Sequence, residues 1–212
     1  LIPDGTKADR PIDGFVTAWE RLARRLHEAR RPFHAVVLGA GPGGVELAFA
    51  LRQRAMTQGW SHLHVHLVGS EPVPLPAAPP SAQSRILQLL GDKSIHWKGS
   101  RRAVAVEAGR VQFEDGQAMP ADSCWIVTGS TAPPWLAVSG LVTDDGGYAR
   151  VGETLQSLSH PHVFVAGDVA SHPRALPKSG VYAVRSGAVL GHNLLAFCTG
   201  KPLVAWQPQS RA

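Results

Sequence analysis

Only two cysteines occur in the chain, Cys124 and Cys198. They stand far apart and form no Cys-x-x-Cys pair, which excludes a local redox motif and a cysteine-built zinc site. A reducing cytoplasm suits them best. No apolar run reaches the ~18 residues that a membrane-spanning helix requires. The opening Leu1-Ile2-Pro3-Asp4-Gly5 lacks the basic-then-apolar order of a secretion signal. The missing Met at position 1 hints at a processed or excised segment. Charge is sparse as well: 17% of residues are charged against 44% hydrophobic, with a net charge of +5, which describes a folded chain rather than a disordered one. Its basic residues concentrate only at Arg21, Arg24, Arg25, Arg30 and Arg31. These read as a solvated helix face, so no nucleic-acid partner is expected.

What the chain does have is Phe33-His34-Ala35-Val36-Val37-Leu38-Gly39-Ala40-Gly41-Pro42-Gly43-Gly44-Val45-Glu46-Leu47-Ala48. The apolar run with adjacent valines predicts a buried parallel strand, and Val45, Ala48, Leu51 and Ala55 recur at helical spacing. Gly39-x-Gly41-x-x-Gly44 sits at the joint. The first glycine permits a tight turn, the second lets backbone approach a pyrophosphate, and the third lets helix and strand pack closely. Free N–H groups and the dipole at the helix start would hold the phosphates of a dinucleotide. The alternative is a glycine-rich turn in some other α/β protein.

Before this unit, residues 11–30 read as an amphipathic helix with Ile12, Phe15, Trp19, Leu22 and Leu26 on one stripe, begun near Pro11 and Asp13 and stopped by Pro32. After it a second strand is expected at 62–68, where His62, His64 and His66 alternate with Leu63, Val65 and Leu67. Three imidazoles on one strand face are compatible with a metal site, although a partly solvated sheet face is the plainer reading and no metal is assigned. An acidic residue at the end of this strand would accept hydrogen bonds from the adenosine ribose of NAD, whereas an Arg would meet the 2′-phosphate of NADP. Gly69-Ser70-Glu71 stands there instead, with no adjacent Arg, so NAD is only mildly favoured. Pro72, Pro74, Pro76, Pro79 and Pro80 mark a stiff surface connector.

Further on, Ser81 is a candidate N-cap for a helix to about Leu90, with Gly91 as its stop. Ser94–Trp97 reads as a strand, and 103–106 with 110–113 as a small β-meander turning again at Asp115-Gly116. Ser123–Val127 is a buried-type strand leading into Thr128-Gly129, and Cys124 on it reads as core rather than nucleophile. His162–Asp168 is expected to be an apolar strand ending in Gly167-Asp168, where a carboxylate can accept hydrogen bonds from sugar hydroxyls. A helix over about 179–197 follows, its start near Lys178-Ser179-Gly180 offering N–H groups to an anion.

The glycine turn, the meander, Val127-Thr128-Gly129 and Val163-Phe164-Val165-Ala166-Gly167-Asp168-Val169 occur in the order seen in two-dinucleotide flavoproteins. The chain resembles the pyridine nucleotide–disulfide oxidoreductase superfamily. Gly-Gly-Val-Glu at 43–46 and Val181-Tyr182-Ala183-Val184-Arg185-Ser186-Gly187 look most like its type II NADH dehydrogenase branch. Pro133-Pro134-Trp135-Leu136, Ser159-His160-Pro161 and Lys178-Ser179-Gly180-Val181-Tyr182 look like the dehydrogenase-like proteins linked to selenide, water dikinase.

That resemblance implies a Rossmann-like α/β parallel-sheet NAD(P) domain with a β-meander, inserted into an FAD domain. The 124 positions between Gly44 and Asp168 leave no room for a complete inserted domain of roughly 100–150 residues plus the first FAD half. The expected layout is therefore a leading helix and FAD-domain connection at 1–32, an NAD(P)-binding domain at 33–130, and an incomplete second half of the FAD domain at 131–212. By resemblance, Gly39, Gly41, Gly43 and Gly44 meet the NAD(P)H pyrophosphate, with Ser70 beside the adenosine end. Glu46 helps position the nicotinamide end, and Gly129 lets the cofactor pass. Gly167 and Asp168 meet the FAD ribityl chain, while Lys178 and Val181 start the helix aimed at the flavin pyrimidine ring. No catalytic side chain is assigned, because the cofactors carry the chemistry. The implied activity passes hydride from nicotinamide to flavin and on to a quinone, disulfide or other acceptor. The second alternative is an isolated segment that binds nucleotide without turnover; a flavin-free NAD dehydrogenase is the third, though no Tyr-x-x-x-Lys pair stands near Tyr148 or Tyr182. Implied partners are the missing remainder of the polypeptide, the electron acceptor and a second copy of the chain, with peripheral membrane attachment open to the full-length protein.

Overall fold

The computed structural model describes residues 12–176 and 178–209; Pro11 and the side chains of Ile12 and Asp13, read above as a helix start, lie outside the described residues. The chain divides into two compact units, Leu1–Gly129 and Ser130–Ala212.

In the first unit, α1 (Ile12–Glu28), β1 (Phe33–Leu38), α2 (Pro42–Gln58), β2 (Leu63–Val68), α3 (Pro80–Asp92) and β3 (Ile95–Lys98) alternate before a meander of β4 (Ala103–Glu107), β5 (Gly109–Phe113) and β6 (Ala118–Ala121), and β7 (Ser123–Ile126) closes it. A four-stranded sheet has the order β3-β2-β1-β7, and all its pairs are parallel. Successive residues of a strand face opposite sides, and both sides of this sheet are used. Phe33, Ala35, Val37, Leu63, Val65, Leu67, Ile95 and Trp125 bury against Leu22 and Leu26 of α1 and Val45, Ala48 and Leu51 of α2. On the opposite face Val36, Leu38, Val68 and Cys124 meet Val111, Phe113 and Ala121 of the meander. Double coverage explains why β1 reads as a nearly continuous apolar run.

Several boundaries differ from expectation for local reasons. Helix α1 ends at Glu28, and its Phe15 is 45% exposed although its ring lies 5.1 Å from that of Trp125. Helix α3 begins at Pro80, with Pro79 in the capping position, so Ser81 lies inside it. Proline at the first helical position forfeits only an N–H that would be unpaired anyway. Helix α3 runs past Gly91 to Asp92. The proline-rich segment is more than a surface crossing: Pro74 is buried, Leu75 packs on the core, and the Leu75 N–H donates to the Ala40 carbonyl at 2.8 Å. Gln83 Nε2 donates to the carbonyls of Leu75, Pro76 and Ala78, tying the segment to α3. Strand β2 starts at Leu63; His62 stands before it, its Nε2 2.9 Å from the Leu26 carbonyl oxygen.

The second unit carries α4 (Pro134–Val138), β8 (Ala149–Arg150), β9 (Ala170–Ser171) and α5 (Gly180–Cys198). Strands β8 and β9 pair in parallel, and Ala132, Leu136, Leu155, Val165, Tyr182 and Trp206 form the core. Buried Asn193 clamps two passing segments, its Nδ2 donating to the carbonyls of Thr154 and Val204 while its Oδ1 accepts from the Val204 N–H. The strand expected over 162–168 does not form. Phe164 makes a single antiparallel bridge to Gln156, and Gly167–Val169 is a 3-10 turn. An apolar run becomes a parallel strand only where neighbouring strands accept its ladder, and the described residues around it supply one bridge. Among the described residues no helix is long and apolar enough to cross a membrane.

Candidate nucleotide site

The glycine turn is built into the backbone packing of the first unit. Gly39 has φ +109°, and a Cβ there would lie 2.7 Å from the Val127 carbonyl oxygen. A Cβ on Gly44 would lie only 1.7 Å from the Gly39 carbonyl oxygen, so glycine at 44 lets α2 sit against the end of β1. Gly41 and Gly43 differ: a Cβ at either would meet nothing within 4 Å. They face open space over the start of α2. Gly41 occupies the capping position, Pro42 the first turn, and no side chain caps the helix. Its first N–H groups, those of Gly43 and Gly44 among them, thus keep no partner within the helix and point their dipole outward. An uncapped helix start with two side-chain-free positions fits a pyrophosphate in shape and in charge.

Around this turn the carboxyl ends of the strands collect the other sequence candidates. Beyond β1, β2 and β3 come Gly39, Gly69 and Gly99, and Gly129 (φ +124°) follows β7 by three residues. Ser70, Glu46 and Gly129 are exposed there. In open α/β sheets ligands bind at this edge. Gly69 itself is buried; a Cβ on it would lie 2.8 Å from Trp97 Cη2 and 3.0 Å from Ala40 Cβ.

In the second unit Gly167, Asp168 and Lys178 line one cavity of about 360 Å³ together with Tyr148, His172 and Tyr182. Lys178 is not an idle surface lysine. Its Nζ donates to the Ala170 carbonyl and lies 4.1 Å from the centre of the Tyr148 ring. Burial lowers its pKa, against the opposing charges of Asp144 and Asp168. Ser179 Oγ and His172 Nε2 are buried without a hydrogen-bond partner among the described residues. Of the two residues, His172 lines the cavity, where an orphaned polar atom fits a polar ligand. Val181 is exposed in the first turn of α5, which Ser179 precedes without a side-chain cap.

The histidines form a cluster that strand alternation only partly anticipates. His64 and His66 share a face of β2, while His62 is not among them; His34 of β1 and His96 of β3 complete a group of four. Register makes it, because His34 pairs with His64 and His66 with His96. Ring centres lie 5.2 and 4.9 Å apart in the two stacked pairs, and His34 Nδ1 is 3.0 Å from His66 Nε2. Burial, then the neighbouring His96, His34 and His64 and Lys98, push the His66 pKa down to about 4. Among the described residues no group of three or more His, Cys, Asp or Glu is arranged to hold a metal ion. Cys124 is buried, and burial pushes its thiol up to about 11, which fits a core position. His34, His96, Trp97 and Tyr148 escaped the sequence reading; aligning parallel strands in register is what would have revealed the first three.

Residues 8–187 match the family model described as pyridine nucleotide-disulphide oxidoreductase. Among solved structures the chain is similar to a ferredoxin reductase from Rhodopseudomonas palustris, with 24% identity, TM-score 0.64, and 89% of this chain aligned to 46% of that one. It is also similar to a water-forming NADH oxidase from Lactobacillus brevis bound to NADH, with 22% identity, TM-score 0.64, and 88% of this chain on 40% of that one. A third similarity is to Bacillus anthracis CoADR-RHD, with 21% identity, TM-score 0.67, and 88% of this chain on 33% of that one. The chain thus spans less than half the length of each of these structures.

Proposed function

The chain belongs to the pyridine nucleotide-disulphide oxidoreductase family, and from that premise we propose that it carries the NAD(P)H-binding domain, and part of the FAD-binding domain, of a flavoprotein oxidoreductase. The observation that carries this reading is the uncapped start of α2, with Gly41 and Gly43 open above it at the carboxyl edge of a parallel sheet. In this reading residues 33–130 hold the nicotinamide nucleotide. Gly41, Gly43 and Gly44 receive its pyrophosphate, Gly39 shapes the turn, Ser70 and Gly129 border the cofactor, and Glu46 faces its nicotinamide end. Residues 131–212 hold one end of FAD, with Gly167 and Asp168 at the ribityl chain and Lys178 and Val181 at the pyrimidine ring.

When bound, FAD supplies the two-electron acceptor that takes hydride from the nicotinamide. The chain's own residues bind, orient and tune. The positive end of α5 favours negative charge beside it, and Lys178, held by the Ala170 carbonyl and the Tyr148 ring, presents its ammonium from a fixed place. The final acceptor is a quinone, a disulfide or another oxidant, and the finer affiliation is with type II NADH dehydrogenases, including those linked to selenide, water dikinase. As isolated, the chain binds nucleotide without turnover, a reading favoured by its spanning less than half of the flavoprotein structures it matches. Calorimetric titration of the purified chain with NADH, NADPH and FAD tests the assignment. Saturable binding of a nicotinamide nucleotide in the absence of FAD is expected. FAD binding alone would mean that the glycine turn serves the other cofactor.

A further inference from the structure

We propose that the indole of Trp97 occupies the place of a ribose-binding carboxylate, so that the site holds NADH and NADPH with similar affinity. This rests on the nucleotide reading above. In nucleotide-binding α/β sheets an acidic side chain at the end of the second strand does two things. It accepts hydrogen bonds from the ribose hydroxyls of NAD, and it repels the 2′-phosphate of NADP. Here that strand ends on Val68, and the next residue, Gly69, is walled in: Trp97 Cη2 and Ala40 Cβ lie 2.8 and 3.0 Å from where its Cβ would be. Even alanine would require the ring to move, and an aspartate or glutamate could enter only by displacing it.

The indole is itself fixed. Its benzo ring also crowds Gly99, where a Cβ would lie 2.9 Å from Trp97 Cζ2, and its Nε1 donates to the Pro72 carbonyl at 3.4 Å. Glycine at both 69 and 99 is what admits this ring. A tryptophan whose single donor is turned to backbone can neither accept from a ribose hydroxyl nor repel a phosphate.

Two nearby charged residues are the natural objections. Glu71 lies two residues beyond Gly69 and is exposed, where a carboxylate discriminates weakly through solvent. Arg101, distant in sequence, reaches the spot through its backbone, its N–H donating to the Gly69 carbonyl at 2.9 Å. Its guanidinium is already engaged by Asp115 and Gln117 and packs over Phe113. It is therefore not free to seize a 2′-phosphate, and the site leans toward neither cofactor.

Dissociation constants for NADH and NADPH, measured by fluorescence titration at one ionic strength, test this directly. A ratio within about tenfold is expected, since a charged hydrogen bond to the ribose would by itself produce roughly 10- to 150-fold. A ratio above tenfold in either direction overturns the proposal while leaving the nucleotide reading intact; binding of neither cofactor overturns both. The double variant Gly69→Asp/Trp97→Leu, which opens the space and installs the carboxylate, should move the ratio at least about tenfold toward NADH. No movement in a variant whose circular dichroism matches the wild type would refute the role given to Trp97. Glu71→Gln should leave the ratio unchanged, and a selective loss of NADH affinity would assign discrimination to Glu71 instead.

Discussion

Replacing each of the three glycines at the start of α2 by alanine should produce three different results. At Gly44 the new Cβ would fall 1.7 Å from the Gly39 carbonyl oxygen and 2.9 Å from its carbon. Side-chain Cβ atoms essentially never approach another atom closer than 3.0 Å, so α2 would have to retreat by about 1.3 Å from the strand to which a short turn joins it. Inserting one methylene into a packed core costs about 1–3 kcal/mol, and a clash with backbone cannot be relieved by rotating a side chain, so about 3 kcal/mol or more is expected. For a unit of this size that lowers Tm by about 10 °C. Gly43→Ala meets nothing within 4 Å in the first turn of the helix, and should stabilise by about 0.4–1 kcal/mol through the unfolded chain. Gly41→Ala also meets nothing, and its φ of −70° is ordinary for alanine, so Tm should hold. Its methyl would instead stand where a pyrophosphate approaches, weakening NADH binding by about tenfold or more. Thermal melts followed by NADH titration of all three variants separate these cases. Unaltered affinity in a folded Gly41→Ala protein would refute the cradle, and an unaltered Tm in Gly44→Ala would refute the packing argument.

The stacked histidines predict a stability that depends on acid. Folding lowers the pKa of His66 from 6.5 to about 4, and lowers those of His34 and His96, so the unfolded chain binds more protons between those limits. Stability should be complete above about pH 6.5 and fall as pH drops toward 4, by on the order of 2 kcal/mol from His66 once its partial exposure is discounted. Urea midpoints measured across that range should show the slope, and His66→Gln should flatten it. Asp122 accepts from the His34 backbone N–H at 2.8 Å and from Arg31 at 2.5 Å. Asp122→Ala should cost about 1–3 kcal/mol, read as a lower urea midpoint, by stranding that donor at the start of β1. In the native protein an alkylating reagent should label exposed Cys198 and spare Cys124, with intact-mass spectrometry reporting a single adduct. Val184 and Leu195 of α5 are 78% and 68% exposed, so lysine at both should reduce self-association in sedimentation if that face meets a second copy or the rest of the polypeptide.

Legibility in the sequence followed the range of the forces involved. The strand, turn and helix from Phe33 to Gln58 are specified by neighbours along the chain, by apolar period and glycine placement, and those signals survive in a bare string of letters. Cys124 as core was legible for the same reason, since its strand is apolar on both faces. Lys178 was legible as a candidate but its contacts were not: they are the Ala170 carbonyl and the Tyr148 ring, 8 and 30 positions away, and no local pattern announces either. The strand expected at 162–168 misled because period and composition describe what a segment can bury, whereas a ladder needs partners. Gly69 is the instructive case. As a letter it was a missing carboxylate, an absence that left the cofactor preference undecided. As a position it is a requirement, because parallel pairing of β2 with β3 sets Val68 opposite Lys98 and so brings Trp97 against the following residue. The glycine and the tryptophan explain each other, and a substitution at either one alone tests only half of the arrangement.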